Sequence, residues 1–354
     1  SPDFSGVDDL RDLLDRVGKE GTLAPDELLE VSTCIGGLSR LASYFAAHGQ
    51  QLPGLAHVAA RLHDLGFLSH RISVSVDRDG RVRDDATPLL REMRERAYAL
   101  QETIKDKLED FLKGDRATEA LQERYYTLRE DRYVVPVKAE RRSIVEGIVH
   151  AVSQSGATVF LEPKFLISLN NRLKMAREEV KREEYLVLAE LSRDIAENSG
   201  ELLESLEAAG AFDLISAKAK MSLRLGGGAP EMGESPVVKL KKAHSPILLL
   251  QGQDVVPSDI IIGDPARVLV LSGPNAGGKS VALSSCGLCV LMVHAGLHPP
   301  ASPDSYVPVL EGVHAVPGDM EDVEQQLSTF AGHLTELNRV VARVGEKHLV
   351  LVDE

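Results

Sequence analysis

The most informative segment of the chain is Val268-Leu269-Val270-Leu271-Ser272-Gly273-Pro274-Asn275-Ala276-Gly277-Gly278-Lys279-Ser280, an apolar run that leads into a glycine-rich loop. The loop fits the pattern G-x-x-x-x-G-K-[ST], in which two glycines let the backbone turn tightly and aim its N–H groups at a phosphate. Lys279 supplies positive charge, and the Ser280 hydroxyl is placed to ligate Mg²⁺ at the start of a helix. The segment therefore predicts a strand, a phosphate-binding loop for ATP with Mg²⁺, and a helix ended by Gly296. The alternative is a glycine-rich turn that binds no nucleotide.

The end of the chain supplies the second half of this predicted site. Residues 348–352 are an apolar run, His-Leu-Val-Leu-Val, and two carboxylates follow it. In P-loop ATPases a strand with this ending lets the Asp hold Mg²⁺ and the adjacent Glu orient and deprotonate the attacking water. We therefore assign Asp353 to the metal and Glu354, with Lys279, to catalysis. Ordinary turns also carry paired acids, and this is the alternative.

Length and composition limit the class of protein. A chain of 354 residues is long enough for two or three domains, and its net charge of -14 argues against indiscriminate coating of nucleic acid. No apolar run spans a bilayer and no signal peptide is visible, so the expected location is cytoplasmic, without membrane contact. The three cysteines are too few for a disulfide framework. Cys286 and Cys289 form a C-x-x-C within a predicted helix, where buried small apolar residues are favoured over a redox or metal site.

The order of apolar patterns predicts two domains. Residues 1–225 read as an α-helical core with a β-rich insert at about 131–163 and a single long helix from Lys164 to about Ser199. A short hairpin is expected at Ile72 to Val82, because apolar and polar residues alternate before Asp79-Gly80. The run Gly226-Gly227-Gly228 is taken as the boundary with a nucleotide-binding domain, 226–354. The strands predicted within the insert and beyond the boundary are Arg132 to Val137, Ser143 to Val152, Thr158 to Leu161, Val237 to Leu240, Ile247 to Leu250, Ile260 to Ile262 and Val268 to Leu271.

The region from Arg132 to Arg182 is locally basic. It holds ten Lys or Arg against five Asp or Glu in a chain that is otherwise acidic. Solvated helix faces with i, i+4 ion pairs explain much of this excess. Lys138, Arg141 and Arg142 are less easily explained so, because they lie on the β-rich insert, and we expect them to make weak phosphate contacts with nucleic acid.

Three motifs together resemble the MutS family, in its bacterial paralogue of the second type. They are GPNAGGKS at 273–280, the D-x-E-x-x-x-x-x-L-S-T-F segment at 319–330, and the final strand with Asp-Glu. The segment RYVVPVKAERRSIVEGIVHAVSQSGATVFLEP at 132–163 is similar to the core of the same branch. The resemblance implies an α/β P-loop (ABC-type) ATPase domain, preceded by an α-helical lever domain with a small β clamp-like insert. It also implies a homodimer in which Ser328 and Thr329 act in trans on the partner's nucleotide, with Val255 and Val256 beside the adenine.

The same resemblance implies what such a protein acts on. Branched DNA, such as four-way junctions, is the expected partner, with suppression of homologous recombination as the outcome and the nucleoid as the location. The alternative is a ribosome-associated ATPase that binds rRNA and splits stalled ribosomes. Nuclease activity is expected only from a C-terminal Smr domain, which is absent from these residues. Because the composite dimer site is incomplete, this chain is also expected to bind nucleotide weakly and to hydrolyse little.

Overall fold

The structure, a computed structural model, describes residues 2–274, 278–316, 334–335 and 337–353. It divides into two compact units, residues 1–211 and 212–354. The division falls within one long helix, earlier than the 225/226 boundary that the glycine run led us to expect. That helix therefore contributes residues to both units.

The first unit is built mainly from helices, as predicted. The second helix of this unit begins with Pro25 at its first position, and the Glu27 carboxylate accepts a hydrogen bond from the Ala24 N–H at 2.7 Å. The seventh helix has 34 residues and is therefore about 50 Å long, which confirms the long helix predicted from Lys164. The helices that begin in this unit are α1 Arg11–Gly18, α2 Pro25–His48, α3 Ala56–Ala59, α4 Gly66–Ser75, α5 Pro88–Lys113, α6 Asp115–Ala120, α7 Lys164–Glu197 and α8 Ser199–Leu225.

The predicted hairpin at Ile72 to Val82 is wrong in its first half, because α4 continues to Ser75. Leu68, Ile72 and Ser75 are buried at helical spacing, so packing outweighs the alternation of the local sequence. Only the Val76–Val82 bridge of the expected hairpin forms.

The predicted insert is a four-stranded antiparallel sheet in the order β1-β2-β4-β3. Because β4 lies between β2 and β3, the chain between those two strands must cross the end of β4. Residues Ala139–Ile144 make this crossing as a 3₁₀ helix, so the strand expected from Ser143 begins only at Gly147. The strands are β1 Thr127–Arg129, β2 Arg132–Lys138, β3 Gly147–Val152 and β4 Thr158–Pro163.

One face of this sheet packs against α5, α6 and α7 in a continuous core. Val135, Val137 and Leu161 come from the sheet, and Ile104 and Leu166 come from the helices; none is more than 1% exposed. Each such side chain contributes about 2 kcal/mol by leaving water. The core therefore holds the insert against the long helix α7.

The described residues of the second unit form two sheets, the helices α9 and α10, and the end of α8. One sheet is mixed, in the order β5-β8-β6-β7, and the other is the parallel pair β9 and β10. The turn before β8 is tied to β6, because the Asp304 carboxylate pairs with the ammonium group of Lys241. The elements are β5 Glu231–Gly233, β6 Val238–Ala243, α9 Pro246–Leu250, β7 Ser258–Ile262, α10 Lys279–His294, β8 Tyr306–Pro308, β9 Gly312–Val316 and β10 His348–Val352.

Two strands predicted in this unit are wrong. Ile247 to Leu250 is helical, because Pro246 occupies the first helical position and the Ser245 hydroxyl caps the Leu248 N–H at 3.5 Å. Val268 to Leu271 has no regular secondary structure, and its four side chains are between 43% and 79% exposed. An apolar β-branched run forms a strand only where a neighbouring strand accepts its hydrogen bonds, and no described strand does so here.

Candidate functional site

The phosphate-loop sequence enters a helix at the predicted point. Gly278 has a left-handed φ of +77° and caps α10, whose first residue is Lys279. A residue with a Cβ would be strained in this conformation, which explains why the pattern needs glycine here. Asn275, Ala276 and Gly277 lie outside the described residues.

The two ends of the loop are joined by its lysine. The Lys279 ammonium donates a hydrogen bond to the carbonyl oxygen of Gly273, six positions earlier in the chain, at 2.8 Å. Ser280 is exposed in the first turn of α10, beside backbone N–H groups that have no partner within the helix. A cation, a hydroxyl and N–H donors are therefore gathered at one helix N-terminus, which is the donor set that a phosphate with a hard cation requires.

Asp353 lies directly after β10, as expected from the sequence. Its N–H donates to the Val316 carbonyl at 3.0 Å, which extends the parallel ladder between β9 and β10 by one residue. The residue is half-buried. Glu354, Ser328 and Thr329 lie outside the described residues.

The strand that carries Asp353 packs directly on the helix that follows the loop. A Cβ built on Gly287 of α10 would lie 2.5 Å from Leu351 Cδ1 of β10, closer than real atoms approach. Leu351 precedes Asp353 by two residues, and Gly287 follows Ser280 by two helical turns. The close approach therefore joins the elements that carry the two halves of the predicted site.

The cysteines of α10 belong to the core. Cys286 and Cys289 are at most 2% exposed, and burial raises the pKa of their thiols to about 11 and about 12. Within the described part of the chain, no three His, Cys, Asp or Glu side chains are grouped to hold a metal ion. The expectation that this C-x-x-C supplies small apolar core residues is confirmed.

The predicted adenine-side residues lie on the irregular stretch between α9 and β7. Val255 is half-buried, and Val256 is 86% exposed. Their assignment to the adenine stays a prediction.

The predicted nucleic-acid residues of the insert differ in their surroundings. Arg141 lies 3.2 Å from the Glu119 carboxylate, which offsets its charge. Lys138 is half-buried and Arg142 exposed, and neither has an ion-pair partner among the residues that the structure describes. Arg142 also lines an open cavity of about 470 Å³ beside the crossing between β2 and β3. Lys138 and Arg142 are therefore better placed than Arg141 to bind phosphate.

A buried polar cluster surrounds Glu162, and none of the sequence patterns above indicated it. The Glu162 carboxylate is fully buried, and it accepts hydrogen bonds from Arg132 Nη1 at 2.8 Å, His150 Nε2 at 2.7 Å and Asn170 Nδ2 at 2.8 Å. Asn170 also pairs with the backbone of Tyr133 through both amide atoms, at 3.2 and 3.1 Å. These contacts link β2, β3 and β4 to α7. The one indication of this cluster in the sequence is that Glu162 directly follows the apolar run Val-Phe-Leu, at a position where a strand usually buries an apolar residue.

None of the helices in the described ranges combines the length and the apolar character that a bilayer crossing requires.

Comparisons with known proteins agree with the resemblance stated above. MutS domain V matches residues 269–354. The chain is 40% identical over 349 residues to Endonuclease MutS2 of Pelotomaculum thermopropionicum, which covers 99% of this chain and 44% of that protein. It is 41% identical over 355 residues to Endonuclease MutS2 of Symbiobacterium thermophilum, with 99% and 44% covered. It is 36% identical over 354 residues to Putative endonuclease MutS2 of Bacillus subtilis, with 99% and 45% covered.

The matches extend along essentially the whole chain, including the helical unit and the insert that domain V does not cover. The chain spans about half the length of these curated relatives. It belongs to the MutS family, in the MutS2 branch.

Proposed function

We propose that the second unit is a P-loop, ABC-type ATPase domain and that the helical unit before it is a lever with a clamp-like insert. One observation carries this proposal: the glycine-capped loop opens α10, and the strand bearing Asp353 packs on that helix at Gly287. Both halves of a phosphoryl-transfer site are thereby attached to one helix–strand pair. Family membership supports the same assignment.

The residues present fit Mg²⁺-ATP by their chemistry. The backbone N–H groups of 273–280, of which only Pro274 lacks one, and the Lys279 ammonium suit the phosphates. The Ser280 hydroxyl and the Asp353 carboxylate are hard oxygen ligands of the kind that Mg²⁺ prefers. Bound Mg²⁺ would neutralise charge that develops on the transferred phosphoryl group. Glu354 would hold and deprotonate the attacking water, and Ser328 and Thr329 of a second copy would complete the site.

We further propose that the protein binds branched DNA as a homodimer and thereby limits homologous recombination. Lys138 and Arg142 on the insert have no ion-pair partner within the described ranges, which supports phosphate contact there. The relatives are called endonucleases, and no nuclease chemistry is proposed for the residues of this chain.

Nucleotide binding is tested by the anisotropy of a fluorescent ATP analogue, titrated with the purified chain in the presence and absence of Mg²⁺. We expect weak, Mg²⁺-dependent binding that falls about tenfold or more in Lys279→Ala, because a phosphate contact with a cation is lost. Lys220→Ala, which removes an exposed lysine of α8, is the matched control and should bind as the original chain does. Equal affinity of the two variants for the ATP analogue would refute the assignment of 273–280 as a phosphate-binding loop.

Nucleic-acid binding is tested by competition among a four-way DNA junction, linear duplex and stalled ribosomes, at about 0.15 M salt with ATP. We expect the protein to bind the four-way junction more tightly than linear duplex or stalled ribosomes. Exchanging both Lys138 and Arg142 for Gln should weaken junction binding. The slope of the logarithm of the binding constant against the logarithm of salt concentration should become less negative by about 0.9 for each lost phosphate contact. Arg141→Gln should change it less, because Glu119 already offsets that charge. Preference for ribosomes would favour the alternative function, ribosome splitting.

A further inference from the structure

The C-terminal ends of α8 and α10 meet at one junction within the second unit. Both helices end in the same motif. In α8, Gly226 has a φ of +62°, and the Gly227 N–H reaches back to the Ser222 carbonyl at 2.8 Å. In α10, Gly296 has a φ of +73°, and the N–H of the next residue reaches back to the Met292 carbonyl at 2.8 Å. Left-handed glycines of this kind stop a helix and turn its chain sharply aside.

Two side chains of α8 hold the end of α10. The Lys218 ammonium donates to the Ala295 carbonyl at 2.6 Å, and Ala295 is the residue that caps α10. One turn further along α8, the Ser222 hydroxyl lies 3.0 Å from His298 Nδ1. A cation at a helix C-terminus is favoured by the helix dipole, so the lysine both satisfies a free carbonyl and complements its partial negative charge.

The chain segments that leave the two helices then run side by side. The Gly228 N–H donates to the Pro299 carbonyl at 3.1 Å, the Glu231 N–H donates to the Ser305 carbonyl at 2.9 Å, and the pairing continues as the parallel strands β5 and β8. A Cβ on Gly227 would lie 2.5 Å from the His298 carbonyl oxygen. The glycine run that the sequence analysis took as a domain boundary is therefore a close-packed part of the second unit.

We propose that this junction couples the phosphate-binding loop to α8, with Lys218 and His298 as positioning residues. The inference rests on the proposed nucleotide site. The 16 residues of α10 form a rigid rod about 24 Å long, with the loop at one end and the junction at the other. A shift of α10 when phosphate binds at its N-terminus is passed at its C-terminus to α8. That helix is continuous from Leu225 back to Ser199, across the division between the two units.

Hydrogen exchange of α8 amides, measured by mass spectrometry with saturating Mg²⁺-ATP and without it, tests this coupling. In the original chain we expect nucleotide to change exchange in the peptides that cover 199–225 by at least about fivefold. In Lys218→Met, which keeps most of the apolar side chain and removes the ammonium group, the change should fall to less than about twofold, while nucleotide affinity stays within about twofold. Lys218→Arg should restore it. Lys220→Met, on the same helix, is the matched control and should keep the full effect.

The outcomes separate this inference from the proposed function. If the original chain does not bind nucleotide, the proposed function fails. If it binds nucleotide but α8 exchange does not respond, or if Lys218→Met responds as fully as Lys220→Met, the nucleotide site stands and the coupling is refuted. Gly227→Ala disturbs the same junction without changing Lys218, because the added Cβ meets the His298 carbonyl oxygen, which no side-chain rotation can move away.

Discussion

Removal of the Glu162 carboxylate should loosen the insert from the long helix α7. In Glu162→Ala, Arg132 and His150 lose their anion while their side chains are only 21% and 14% exposed. Removing one partner of a buried ion pair costs about 3–5 kcal/mol, because the remaining charge stays away from water. Asn170 also loses an acceptor, which places the expected cost toward the upper end of this range.

The same insert offers a matched control. Glu146 pairs with Lys164 at 3.1 Å, and the two side chains are 77% and 74% exposed. An exposed pair of this kind contributes about 0–1 kcal/mol, so Glu146→Ala should change little. The two variants remove the same chemical group from one insert, and the two carboxylates differ in burial.

Hydrogen exchange of the β2 and β4 amides is the appropriate assay. The chain has no tryptophan, and its two units need not unfold in one transition. A cost of 3–5 kcal/mol should speed exchange in these strands by about two to four orders of magnitude in Glu162→Ala, and by less than about fivefold in Glu146→Ala. Exchanging both charged partners, Arg132→Met with Glu162→Leu, should recover much of the loss. Equal exchange in the two single variants would refute the reasoning.

Three further predictions concern the second unit. Gly287→Ala should destabilise the second unit by about 1–3 kcal/mol in urea unfolding. The double variant Gly287→Ala with Leu351→Ala should lose less stability than the sum of the two single variants, because removal of the leucine makes room for the added methyl group. Strict additivity would contradict the close approach of the two residues. Cys286 and Cys289 should resist iodoacetamide at pH 8 until urea is added, because burial keeps both thiols protonated; rapid native labelling would show that α10 is open. The ion pair with Lys241 lowers the pKa of the Asp304 carboxyl group to about 2. The stability that this carboxylate contributes is therefore present above the unfolded pKa of about 3.9 and is lost as pH falls through about 2. Asp304→Asn should therefore lower the Tm at pH 7, and this difference should shrink below about pH 4; a difference that is constant down to pH 2 would exclude the ion pair as its cause.

Long periodic patterns were reliable guides to the fold. The apolar spacing from Lys164 predicted α7. Short apolar runs were less reliable, because those at β2, β4 and β10 form strands and others do not. Ile247 to Leu250 suits a strand or a buried helix equally well, and a proline with a serine cap decided for the helix.

The candidate site divides in the same way. The loop, Lys279, Ser280 and Asp353 are contiguous patterns that a sequence displays directly. The pairing of Arg141 with Glu119 joins residues that are far apart along the chain, and it depends on how the 3₁₀ crossing meets α6. The Glu162 cluster likewise depends on strand order, which no local pattern states.

The strand β3 carries one more residue than regular pairing with β4 requires. Val149 lies opposite Leu161, whereas Ala151 lies opposite Phe160, so His150 is the additional residue. Deleting this one position would leave each remaining cross-strand pair in place, because 149 and 151 would then occupy consecutive sites. Among related sequences, a one-residue gap at this position is therefore the length change that the sheet tolerates best. Such a sequence would need another donor for the buried carboxylate, or would have to replace it.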